Sequence, residues 1–229
     1  MDQKKDGESG RDRLGKITNI AILGTLLFLL LNPSGVIGSW VARQFAEKRQ
    51  QQAVAALWGE LTGLSDADGE ATGDDPPVVI EFLDYQCPAC RAVAPQVSKA
   101  IEDGSASIVV RHLPLEAIHP LAREAAKAVV CAEQQGRFRA AHEALMGDED
   151  LVSRRDWLGM AETAGVVDLS QFAECLEGEG ADERVAADMR MAEALGISST
   201  PTFVTTRGIF RGTRGFEAAM VGAPSSPAN

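Results

Sequence analysis

From Ile17 to Val41 the chain carries no charged side chain, through the tracts ITNIAILGTLLFLLL and NPSGVIGSWV. A stretch of about 25 residues rising 1.5 Å each exceeds the roughly 20 residues that cross the hydrocarbon core of a bilayer. The pattern predicts one transmembrane helix over 17–41. A buried helix is the plainer alternative, and a cleaved signal peptide is a third, although only Val36-Ile37-Gly38 comes near a small-x-small cleavage site. Beyond it, Val41, Phe45, Val54, Leu57, Trp58, Leu61 and Leu64 fall mostly three and four apart, one face of a juxtamembrane helix over 42–64. That face suits packing on its own domain or the membrane surface, or a self-association stalk; as a heptad seam it is short and irregular. The tract SDADGEATGDDPP then reads as an acidic linker over 65–76.

A folded domain is expected over 77–229. VVIEFLD has the continuous apolar pattern of a buried strand. Residues 88–102 place Val93, Val97 and Ile101 on one helical face, start with a proline and stop at Asp103-Gly104. SIVVRHL supplies a second strand, and strand, helix, strand in so short a space predicts a parallel βαβ unit. From about 119 to 195 the spacing is helical throughout, with Gly136, Gly147, Gly165 and Gly178 as punctuation. TPTFVTT and IFRGTRG, turned at Arg207-Gly208, read as a hairpin, and FEAAM begins a last helix. The result is an α/β architecture with an all-helical block inside it. Little chain is left for a closing helix, which puts the stability of that sheet edge in doubt.

Composition narrows the function. The 229 residues suit one domain plus an appendage, and 22 basic against 33 acidic residues give a net charge of -11. That balance argues against binding nucleic acid, whose phosphates need clustered Lys and Arg. Lys4, Lys5, Arg11, Arg13 and Lys16 precede the apolar segment, against Arg43, Lys48 and Arg49 soon after it. The bias places a tail of residues 1–16 in the cytoplasm and the domain in the periplasm or otherwise outside.

Two of the four cysteines form Cys87-Pro88-Ala89-Cys90, where the first strand gives way to the first helix. A sulfur at a helix N-terminus faces unpaired N–H groups and the positive end of the dipole, which stabilises the attacking thiolate. Cys87 is therefore the expected exposed nucleophile, and Cys90, one turn along, the inward-facing resolving thiol. A zinc site would need a second ligand pair at close spacing, and Cys131 and Cys175 have no Cys or His two to five positions away. No metal or organic cofactor is required. Thr200-Pro201-Thr202 opens the third strand, where a proline removes a ladder donor. His112, His119 and His142 read as packing residues.

FLDYQCPACRAVAPQV, HPLAREAAKAVVCAEQQGRF and LGISSTPTFV, in this order, resemble the DsbA-like branch of the thioredoxin superfamily over about Val78 to Met220. The resemblance implies a thioredoxin fold with an inserted helical domain. It implies that Pro201 is cis and faces Cys87, and that Thr200 offers its backbone to an extended substrate. It makes Glu81 a buried acid that takes the proton of Cys90. Some members carry a second disulfide in the insert, which here would join Cys131 to Cys175. The implied activity is thiol–disulfide exchange on unfolded or partly folded exported proteins, as an oxidase recycled by a membrane redox partner. Two alternatives stand beside it: a reductase or isomerase, oligomerised through residues 42–64, and a non-catalytic, membrane-tethered binding or chaperone module.

Overall fold

The computed structural model describes residues 22–28, 35–63 and 76–221. The tail 1–16, much of the expected anchor 17–41 and the linker 65–75 lie outside the described residues. The chain divides into two units, Met1–Arg49 and Gln50–Asn229. In the first, residues 22–28 are helical (α1) and expose Ile22, Leu23, Leu26, Leu27 and Phe28. Helix α2 spans Val36–Thr62, so it starts six residues before the juxtamembrane helix read from the sequence. Pro33 and Gly35 lie just ahead of this start, where a helix break is expected. Among the described residues no helix is long and apolar enough to cross a membrane.

The second unit is built on a four-stranded mixed sheet, β1 Val78–Leu83, β2 Ser107–His112, β3 Thr202–Thr205 and β4 Gly208–Arg211, in the order β2-β1-β3-β4. Strands β1 and β2 pair in parallel, as the βαβ pattern with α3 (Pro88–Glu102) requires, while β3 runs antiparallel to β1 and β4 to β3. Successive side chains of β1 serve opposite faces. Val79 packs in one cluster with Val93 and Val97 of α3, Phe203, and Phe216 of the short last helix α10 (Gly215–Met220). Ile80 and Phe82 pack in another with Val54 and Leu61 of α2, Leu195 and Val204. Helix α10 is six residues long, and its first residue approaches the sheet closely. A Cβ on Gly215 would lie 2.9 Å from the Phe210 carbonyl oxygen.

Between β2 and β3 lie α4 Ala122–Glu133, α5 Phe138–Gly147, α6 Glu149–Ser153, α7 Trp157–Thr163, α8 Leu169–Glu177 and α9 Glu179–Ala194. Between α6 and α7 the chain breaks from helix: Arg155 adopts φ 55°, and Asp156 caps α7 by accepting from Gly159 N. Asp148 caps the short α6 in the same way, through Asp150 N.

A buried ion pair joins sheet to insert. Arg111 of β2 donates Nη1 to Asp188 Oδ1 at 3.1 Å, Nε to Leu61 O at 3.0 Å and Nη2 to Glu60 O at 2.7 Å, so it also serves the last carbonyls of α2. Asp188 accepts from His112 N at 3.0 Å as well. Removing one partner strands the other charge in the interior, so Asp188→Ala is expected to cost about 3 kcal/mol, measured by urea unfolding.

Candidate active site

Cys87 is the N-cap residue of α3, extended at φ -74° and ψ 117°, with Pro88 in the first turn. Its carbonyl accepts from Cys90 N and Arg91 N, and no side chain caps the helix. The first-turn N–H groups are thus left facing the Cys87 sulfur. Across from it, the Thr200-Pro201 peptide is cis, and Cys87 Sγ lies 3.6 Å from Thr200 O, to which the thiol donates. Thr200 Oγ1 is buried without a partner. Cys87 is only 6% exposed, which corrects the expectation of an exposed nucleophile: the Thr200 carbonyl lies against the sulfur. Cys90 is fully buried, and both are free thiols.

The two thiols are driven apart electrostatically. Hydrogen bonding from Cys90, joined by the backbone N–H groups of Cys90 and Ala89, pulls the Cys87 thiol down to about 5 against its burial. Cys90 is pushed up by its hydrogen bond to Cys87 and by burial, and the nearby Glu81 charge adds to this. Glu81 is 2% exposed, shares the face of β1 that packs on α3, and is raised by burial to about 8. A carboxyl held near neutrality can exchange a proton with a thiol that must ionise.

Several supporting residues escaped the sequence reading. Arg91, next to Cys90, donates Nη2 to Tyr85 O at 2.7 Å and Nη1 to Leu145 O and Met146 O at the end of α5. Tyr85 is fully buried, its hydroxyl 3.2 Å from His142 Nδ1 and its ring 5.9 Å from that of His112. Burial lowers His142 to about 4 and His112 to about 3, so both are neutral packing groups. His119, also read as a packing residue, pairs with the buried Asp84 at 2.8 Å. For Asp84, Tyr85 and Arg91 the sequence signal is only that they lie close to the Cys-x-x-Cys.

Away from the dithiol, Cys131 of α4 and Cys175 of α8 are bonded, with S–S 2.04 Å and Cα atoms 5.7 Å apart. A cavity of about 510 Å³ along β2, lined by Val110, His112, Glu133, Phe138 and Arg184 among others, includes neither Cys87 nor Cys90. Among the described residues no group of His, Cys, Asp and Glu is arranged to hold a metal ion.

A family model described as Thioredoxin matches residues 71–219. The structure is similar to a linker-deletion variant of Proteus mirabilis ScsC, with TM-score 0.64, 20% identity and 96% of each chain covered. It is also similar to a thioredoxin-like oxidoreductase from Silicibacter pomeroyi, with TM-score 0.52 and 30% identity over 64% of this chain and 85% of that one. Among curated proteins, the Na(+)/H(+) antiporter NhaA 3 of Salinispora tropica is 34% identical over 152 residues, which is 66% of this chain and 23% of the antiporter. The chain thus spans about a quarter of the length of the curated relatives it matches.

Proposed function

Because the chain belongs to the thioredoxin family, whose model matches residues 71–219, and carries a DsbA-like thiol:disulfide oxidoreductase fold, we propose that it acts as an oxidase, passing its Cys87–Cys90 disulfide to exported proteins. The observation that supports this direction is the Cys87 sulfur at the N-terminus of α3, which no side chain caps, where the facing N–H groups help hold its thiol down to about 5. Stabilising the thiolate stabilises the reduced form, which makes the oxidised form a better disulfide donor.

In the first step a substrate thiolate attacks Cys87 Sγ, the Cys87–Cys90 bond breaks, and Cys90 leaves with the electron pair. Its high proton affinity draws a proton, and Glu81 is the acid within electrostatic reach. A second substrate thiolate then attacks the substrate sulfur of the mixed disulfide, and Cys87 leaves as the stabilised thiolate. The substrate is oxidised by two electrons and the dithiol is left reduced, for a membrane redox partner to reoxidise. The backbone of Thr200, whose carbonyl lies 3.6 Å from the sulfur, suits an extended substrate chain. Residues 17–41 anchor the domain outside the cytoplasm in this reading, supported by the uncharged run and the basic bias ahead of it.

The test is Cys90→Ser expressed in the full chain. Cys87 is expected to remain disulfide-linked to exported proteins, visible as reducible adducts on a non-reducing gel, and no adduct at any pH would overturn the exchange reading. A reduction potential near -120 mV supports the oxidase, whereas one near -270 mV would favour a reductase. A second reading rests on the antiporter matches, in which a segment like this one belongs to a transport protein's chain. In that reading the substrate is an external cysteine pair of a membrane transporter, and the captured adducts identify it.

A further inference from the structure

The turn that leaves β1 reaches Cys87 through Asp84, Tyr85 and Gln86, and two of these residues hold a second loop. Asp84 is 1% exposed, yet its carboxylate is fully engaged. Oδ1 accepts from Gln86 N at 2.7 Å, and Oδ2 accepts from Leu115 N at 2.8 Å and lies 2.8 Å from His119 Nδ1. The Asp84 carbonyl accepts from Cys87 N at 3.1 Å, closing the turn. Gln86 Oε1 accepts from Leu121 N at 2.5 Å. Leu121 is the N-cap residue of α4, a helix end with no side-chain cap of its own, so Gln86 caps it from across the site.

From this geometry we propose that Asp84 and Gln86 are positioning residues for thiol exchange, clamping the turn that carries Cys87 onto the loop of residues 113–121. The proposal rests on the exchange reading for its meaning. Thiolate stabilisation at a helix end falls off within the first turn, and hydrogen bonds weaken steeply with misalignment. A turn held from both ends keeps the sulfur at the N–H groups of α3 while disulfides form and break. Loosening the turn should therefore return Cys87 towards an ordinary thiol.

Gln86→Leu tests this without changing charge. In the reduced full chain, the thiolate absorbance of Cys87 and its alkylation rate are followed against pH, together with thermal unfolding. The midpoint is expected to rise by about one pH unit, a tenfold loss of thiolate on the acid side, with rates at alkaline pH unchanged. A lowered melting temperature with an unmoved midpoint would make Gln86 structural only and overturn the proposal. If Gln86→Leu does not fold, His119→Ala removes one Asp84 partner from a side chain 17% exposed, and a smaller shift in the same direction is expected. An unmoved midpoint there overturns the proposal equally. If the midpoint shifts but the wild-type protein exchanges no disulfide, the clamp stands and the exchange reading fails.

Discussion

Cys87→Ser is expected to abolish disulfide exchange, with turnover of a scrambled or reduced exported substrate falling to the uncatalysed rate. Serine keeps the size of the side chain, but its hydroxyl does not ionise near neutrality and cannot form the mixed disulfide. The rate at which Cys87 of the reduced wild-type protein attacks a disulfide or an alkylating agent should rise with pH through about 5, where its thiolate forms, and level off above it. The same depressed pKa acts on stability. Thiolate stabilisation favours the reduced native state fully above the ordinary thiol value of 9.0 and is lost as pH falls through about 5. The oxidised protein has no such term, so the melting temperature of the reduced form relative to the oxidised form should fall across that window. Parallel behaviour of the two forms would contradict the electrostatic account of Cys87.

The second large effect concerns the bond between α4 and α8. Replacing both Cys131 and Cys175 by Ala opens a loop set by their separation of 44 residues, and the loop-closure model assigns such a bond about 4 kcal/mol. For a domain of this size that is a fall of roughly 10 °C in melting temperature. Activity at 25 °C should survive, because the bond lies apart from Cys87 and Cys90. A double variant that melts with the wild type would contradict the loop-closure account of this bond.

The sheet and the dithiol were readable because local rules and tertiary needs agree there. VVIEFLD is apolar on both faces because helices cover both, and Pro88 starts α3 where Cys87 needs free N–H groups. Glu81 was reached only through the family resemblance, since an acid in a strand gives no local sign of which face it takes. The supports could not be read at all. Asp84 meets His119 and Leu115, Gln86 meets Leu121, and Arg91 meets Leu145, each across more than 30 residues of chain. Arg111 and Asp188 defeat the rule that charges stay outside, because each is the other's partner. The split between α6 and α7 turns on Arg155 at positive φ, a conformation arginine does not advertise.

The residues at those long separations share one property. Asp84 and Gln86 sit on the active-site turn, Arg91 in the first turn of α3 and Arg111 on β2, and each gives at least one polar atom to the insert, at His119, Leu121, Leu145 or Asp188. The helical insert is therefore no detachable ornament. A minimal thioredoxin core cut from this chain, with residues 119–195 replaced by a short turn, would leave each of these four buried or half-buried polar groups short of a partner that the insert supplies. Anyone transplanting this dithiol to a smaller scaffold must redesign those four positions together with the loop.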